Sequence, residues 1–156
     1  MKGGSMTDAV GAFTELDAAT AWSRTCNLLD VSHIALLLTE DVHYASQWVF
    51  EEIENRTDYL EYLAGKLEAI RESRSDARAE LAETRPYPMY PNPPRPCVVV
   101  HQGGKRVATV LFEVDGNRIT KIDMCMIPPP GTCALSGECP GLITAYGVFA
   151  PKDGEA

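Results

Sequence analysis

Between Cys97 and Ile127 the sequence CVVVHQGGKRVATVLFEVDGNRITKIDMCMI is rich in Val, Ile, Thr and Phe and is broken by two glycine-bearing turns. Such side chains suit a pleated, half-buried surface, so the stretch predicts three antiparallel strands. Gly103-Gly104 can take the positive φ that a tight hairpin turn requires. Asp115-Gly116-Asn117 forms the second turn. A sheet of this kind needs a cover on its apolar face, and the chain before Cys97 must supply it.

The turns decide which side chains share a face. A two-residue first loop sets Val99 opposite Ala108 and His101 opposite Arg106. A three-residue second loop sets Phe112 opposite Thr120 and Val110 opposite Ile122. One face then carries Val99, Ala108, Val110, Phe112, Ile122, Met124 and Met126. The other carries Thr109, Glu113, Lys121 and Asp123, with Leu111, Ile119 and Cys125 among them. A two-residue second loop would bring Glu113 beside Arg118 and mix the faces.

Upstream, residues 1–13 read as a flexible leader. Leu16, Ala19, Trp22, Cys26 and Leu29 recur at three- and four-residue steps and predict a helix with one buried stripe. Asp30 is placed to cap a short second helix carrying Ile34, Leu37 and Leu38. Val42 to Ser46 alternates as a strand, with Val42, Tyr44 and Ser46 on one side, and Trp48 to Ile53 is its expected short partner. Thr57 is the expected N-cap of a third helix with Leu60, Leu63, Leu67 and Ile70 inward. Gly65 in its middle either costs stability or admits another backbone. Ala77 to Arg85 has helical composition, but the sheet lacks a fourth strand, and strand is the preferred reading.

Arg85 to Pro96, RPYPMYPNPPRP, holds six prolines and excludes a helix or a central strand. It is either a recognition segment for another module or a stiff strap across its own domain, and its place between elements of one domain favours the strap. Pro128-Pro129-Pro130 stops the last strand. The domain is thus residues 14–130. Residues 131–156 form an irregular extension that packs back through Leu142, Ile143, Tyr146 and Phe149.

A chain of 156 residues suffices for one domain burying roughly 70% of its unfolded surface without disulfide or metal. A net charge of −8 argues against nucleic-acid or anionic-membrane partners. No run of about 18 apolar residues is present, and the N-terminus lacks a signal-peptide core. A cytosolic location follows as an expectation. Five cysteines without C-x-x-C pairing or nearby histidine at zinc spacing predict reduced, packed thiols and no metal, with Cys133 and Cys139 close enough to pair if oxidised.

Helix, helix, short strand pair, long helix and curved meander is an α+β order. With DVSHIALLLTEDVHYAS (Asp30 to Ser46), Thr57 to Arg71 and FEVDGNRITKID (Phe112 to Asp123), it resembles the nuclear transport factor 2-like superfamily. That group includes ketosteroid isomerases, SnoaL-like polyketide cyclases and scytalone dehydratase. The resemblance covers about Leu16 to Pro128. It implies a cystatin-like cone: a curved antiparallel sheet wrapped around the N-terminal helices, with a mostly apolar pocket at the wide end and often a homodimer.

Trp22, Tyr44, Val110, Phe112, Ile122, Met124 and Met126 are then the expected lining, either around an open pocket or as filled core. The positions where the family's enzymes keep a base or an acid fall on Ser46, Val110 and Met124, and the isomerases' oxyanion tyrosine falls on Trp22. None of these suits the role, so no catalytic residue is carried over. Tyr44, Ser46 and His101 are the remaining polar candidates, Tyr44 and His101 as general acid or base, while His33 and His43 read as surface. The expected activity is binding of a small apolar or aromatic molecule without a cofactor. A lyase, isomerase or cyclase, or a non-catalytic interaction module, are the alternatives. The apolar residues Leu111, Ile119 and Cys125 on the uncovered face predict a homodimer.

Overall fold

The computed structural model describes residues 12–46 and 51–142. The leader up to Gly11, Trp48, and the apolar residues Ile143, Tyr146 and Phe149 lie outside them. Helix α1 (Glu15–Leu28) starts at Thr14, whose hydroxyl accepts from the Asp17 N–H at 3.1 Å while the Asp17 carboxylate accepts from the Thr14 N–H at 2.9 Å. It ends on Leu29 in the left-handed region, φ 57°. Its buried side carries Ala18, Ala19, Ala21 and Trp22, together with Ser23, Thr25 and Asn27. Small residues let the helix lie close in the sheet's hollow. The expected stripe is therefore rotated: Leu16 is 49% exposed, and Cys26 and Leu29 are half-buried.

The short α2 (Ser32–Ala35) follows with Val31, not the expected Asp30, at its N-cap; Asp30 stands one residue earlier, where its carboxylate accepts from the Ser32 N–H at 3.0 Å. Helix α3 (Arg56–Ser73) is capped by Asn55 rather than Thr57, with Asn55 Oδ1 accepting from the Asp58 N–H at 2.8 Å. Asparagine is among the strongest N-caps, and its boundary position lies two residues earlier. Tyr59, Leu63 and Leu67 are buried, with Leu60 and Ile70 packed beside them. Gly65 has open space around it and admits no neighbouring backbone.

Six strands make one sheet: β1 (Leu38–Ser46), β2 (Arg78–Glu83), β3 (Pro96–Gln102), β4 (Lys105–Asp115), β5 (Arg118–Cys125) and β6 (Ala134–Leu135). Their order is β1-β5-β4-β3-β2-β6. All neighbours are antiparallel except β1 and β5, which run parallel, so the sheet is mixed. The strand reading of residues 77–85 holds as β2, and β1 starts four residues before Val42. Ile53 forms an antiparallel bridge with Tyr44, the described end of the expected partner.

Two bulges correct the expected register. Gln102 pairs with Lys105 and His101 with Arg106, but past the bulge Val100 faces Ala108 and Val99 faces Thr109. Val99 therefore joins the outer face, and Val98 and Val100 the inner one. The second loop is two residues long, with Asp115 opposite Arg118, and a bulge near Glu113 brings Phe112 opposite Ile122 and Val110 opposite Met124. That is a shift of two from the expected pairing, so Val110, Phe112, Ile122 and Met124 keep their common face. Ile119, expected outside, is fully buried in the inner core because the bulge turns it inward.

The inner face, with Trp22, Tyr44, Tyr59, Leu63 and Phe112, holds the main core. The outer face carries a smaller cluster of Ala82, Cys97, Val99, Leu111 and Cys133. Tyr90, Cys125 and Leu135 pack against that cluster. The proline-rich segment straps onto its own domain: Arg95 donates to the Phe112 carbonyl at 2.7 Å and to Glu15 Oε1 at 3.0 Å. The segment after Pro128 has a 3-10 turn (Pro130–Thr132) followed by β6 on the free edge of β2. Along that edge the Asn27 amide accepts from the Ala79 N–H at 2.8 Å and donates to the Ala79 carbonyl at 2.9 Å. It also donates to the Pro140 carbonyl at 2.8 Å.

Candidate ligand pocket

A cavity of about 620 Å³ lies between α3, α1 and the inner face of the sheet, within the size range of small-molecule sites. Helix α3 supplies Tyr59, Tyr62, Leu63, Lys66, Leu67 and Ile70 at helical spacing, and α1 supplies Trp22 and Cys26. The floor is Ala79 of β2, Val100 of β3, Ala108 of β4 and Met124 of β5. Small side chains at Ala79 and Ala108 leave the space that larger ones would fill. Ser73, Ser75 and Gln102 stand in the lining as well, and Gln102 donates to Ser75 Oγ at 3.2 Å.

Three tyrosines form the wall on one side. The Tyr44 ring lies 4.9 Å from the Tyr59 ring and 5.3 Å from the Tyr62 ring, centroid to centroid, both tilted. Trp22 Nε1 donates to the Tyr59 hydroxyl at 3.0 Å, and Trp22 meets Phe112 edge to face at 6.2 Å. The Tyr44 hydroxyl reaches Met124 Sδ at 3.8 Å and shares hydrogen bonds with Ser46 and Tyr62. Burial pushes the Tyr44 phenol well above its usual range, and Tyr59 likewise. Both stay neutral at physiological pH and act as hydrogen-bond donors or acceptors, not as bases. Burial also raises the Cys26 thiol far above its ordinary value, which removes it as a nucleophile.

No carboxylate and no imidazole appears among the lining residues. Asp123 stands opposite Leu111 and Ala45 on the outer face, with its carboxyl raised chiefly by burial. Lys66, exposed, has its ammonium 5.9 Å from the Tyr62 ring centre. Among the described residues, the one group of three or more His, Cys, Asp or Glu side chains with ligand atoms mutually close is exposed His43, Glu52 and Glu54, away from the cavity.

Of the expected lining, Trp22, Tyr44 and Met124 border the cavity. Val110, Phe112 and Ile122 are fully buried in the core beneath it, filled rather than open. Met126 falls beyond the end of β5 and does not contribute. Ser46 sits opposite Met124 at the strand end, outside the lining but bonded to Tyr44.

His101 is the main correction. It belongs to the outer face, where its Nε2 meets Glu80 Oε1 at 2.9 Å and both side chains are buried. The bulge at Val107 of β4 puts it there, so it cannot act together with Tyr44. Sequence reasoning missed Tyr59 and Tyr62, although they stand seven and four residues before Lys66 on the helix it identified. The leucine stripe drew attention from the tyrosines beside it.

No family profile matches the sequence, and comparison with curated proteins finds no match. Solved structures give fold-level likenesses. A candidate ketosteroid isomerase from Kribbella flavida is 24% identical, covering 71% of this chain and 76% of that one, with a TM-score of 0.49. A nuclear transport factor 2-like protein of unknown function from Cytophaga hutchinsonii is 13% identical, covering 74% and 94%, at 0.49. A cystatin-fold protein from Novosphingobium aromaticivorans is 15% identical, covering 72% and 98%, also at 0.49. The α+β cone of the nuclear transport factor 2-like type is read from the element order and the curled sheet themselves.

Proposed function

We propose that this protein binds a small apolar or aromatic molecule in the cavity between α3 and the sheet. The observation that carries the reading is the lining: about 620 Å³ walled mainly by Trp22, three tyrosines and aliphatic side chains, with Lys66 and Arg78 as its cations and no carboxylate or imidazole. Stacking on the tyrosines holds the ligand's flat body, and one hydrogen-bonding group orients it. Tyr44 is the group for that bond. Tyr44 bonds Ser46 and Tyr62 and reaches Met124 Sδ at 3.8 Å, and of these partners the thioether is the weak one that a ligand oxygen displaces at little cost.

Proton abstraction next to a carbonyl needs a base, and the neutral phenols do not supply one. Binding without ketosteroid-isomerase turnover is therefore the proposed activity. A homodimer is retained as a proposal for the part of the outer face around Lys121 and Asp123. The apolar residues that first suggested it, Leu111 and Ile119, are buried within the chain itself.

The test is a thermal-shift screen with steroids, polyketides and aromatic ketones, repeated on Tyr44→Phe and Met124→Trp. Losing one hydrogen bond costs about 0.5–1.5 kcal/mol, several-fold in affinity, in Tyr44→Phe. Met124→Trp fills the cavity and abolishes the shift. Hits indifferent to both changes place the ligand elsewhere and refute the reading.

A further inference from the structure

The outer face of the sheet holds a second chemical feature, unconnected to the pocket. Cys97 of β3 and Cys133, which follows the 3-10 turn, bring their sulfurs to 4.0 Å although they stand 36 residues apart. Both are free thiols and both are buried. Cys133 lies within 3.8 Å of the Thr109 hydroxyl, which donates to the Pro128 carbonyl at 2.8 Å. Cys125, in the same apolar cluster, is turned away and donates to the Thr109 carbonyl at 3.5 Å.

The two facing sulfurs are unequal. The Cys97 thiol hydrogen points at Cys133, which lowers the Cys133 thiol below its ordinary value, with Arg106 acting the same way against burial. The same contact, with burial, pushes Cys97 far up, and burial raises Cys125 to about 12. Cys133 is therefore the more readily ionised sulfur, and Cys97 is a thiol at close range. On the tail side the segment is held by the two-residue pairing of β6 with β2 and by hydrogen bonds of Ser136, Gly137 and Glu138 to β2, an attachment short enough to open locally before the sheet does.

We propose that Cys97 and Cys133 form a peroxide-reactive dithiol whose disulfide fastens the segment after Pro128 to the outer face of the sheet. The Cys133 thiolate attacks the distal oxygen of a hydroperoxide, giving a sulfenic acid and, after protonation, an alcohol (water, in the case of hydrogen peroxide). The Cys97 sulfur, losing its proton, then displaces the hydroxyl from Cys133, which leaves as water. Two thiols lose two electrons in total, and the peroxide takes them up. The sequence suggested reduced thiols, with Cys133 and Cys139 able to pair if oxidised, but the fold sets Cys97 opposite Cys133.

The experiment treats the full chain with hydrogen peroxide, blocks remaining thiols with iodoacetamide, and maps unreduced peptides by mass spectrometry. The expected result is a dominant Cys97–Cys133 link within one chain, unchanged in Cys125→Ser and Cys139→Ser. Cys97→Ser stops at a sulfenic acid on Cys133 that dimedone traps, and Cys133→Ser gives neither product. The rate falls as pH is lowered, as the thiolate fraction does. Closing the loop raises the melting temperature by roughly 5 °C, which reducing agent reverses. A dominant link from Cys133 to Cys139 or Cys125, or five intact thiols after millimolar peroxide, overturns the proposal. The wild-type peptide map decides this even if a serine variant fails to fold.

Discussion

The two faces of this sheet are made by the same strands and end up with opposite properties. On β4, Val110 and Phe112 point inward and Thr109 and Leu111 outward, one residue apart. The inner face meets helices, which are thick and stand off far enough to leave a cavity beside small floor residues. Over β2, β3 and β4 the outer face meets the chain's own strap and tail, which lie flat over a thin layer containing thiols and the His101–Glu80 pair. Space for a ligand thus depends on what covers a face, and much less on how apolar the face is.

Neighbouring truncations on β4 test that contrast with the largest expected effect. Phe112→Ala removes a fully buried ring that meets Trp22, and should cost about 3–5 kcal/mol in chemical denaturation. Leu111→Ala, in the small outer cluster whose cover can settle inward, should cost about 2 kcal/mol. Equal losses would mean that the two faces are packed alike. Next comes Tyr59→Phe, which strands the buried Trp22 N–H and should cost about 1–3 kcal/mol while keeping the ring wall. A neutral result would mean that the indole finds another acceptor or water.

The smallest effect distinguishes the outer face by pH. Burial and the nearby Arg78 lower the His101 pKa, with Arg106 adding to this and Glu80 opposing it. The unfolded chain, with histidine near 6.5, takes up the proton first. The stability of this site is therefore complete above about pH 6.5 and is lost as pH falls through the lower folded value. Melting temperature should decline between pH 7 and pH 5.5 more steeply in the wild type than in His101→Gln. Parallel curves would show that His101 does not report on this layer.

The strands, the long helices and the apolar inner face were legible because each repeats a period over many residues. The bulges were not, since one added residue leaves the local pattern intact while it flips everything beyond. One bulge near Val107 sent Val99 and His101 to the outer face, and the second drew Ile119 inside. The shift of two at the second hairpin preserved parity, which is why Val110, Phe112, Ile122 and Met124 stayed together. The cavity itself was half legible. Trp22, Tyr44 and Met124 followed from strand and helix facing, whereas the roles of Ala79 and Ala108 depend on what they fail to fill. The nearness of Cys97 to Cys133 arises from the path of a turn after three prolines, and no spacing rule encodes it.

The Asn27 amide has a consequence beyond holding α1 in place. Alternate residues of β2 turn their backbone groups toward the border of the sheet, and each meets a different partner. Ala79 meets Asn27, Leu81 meets Ser136 and Glu138, and Glu83 meets Ala134. An unpaired border is a template on which a foreign extended chain can settle, the first step toward fibrous aggregates. Here a side chain, a loop and a stub of strand close that template in turn. Peeling the tail from β2 would uncover Leu81 and Glu83, leaving Asn27 alone to guard against polymerisation along this border.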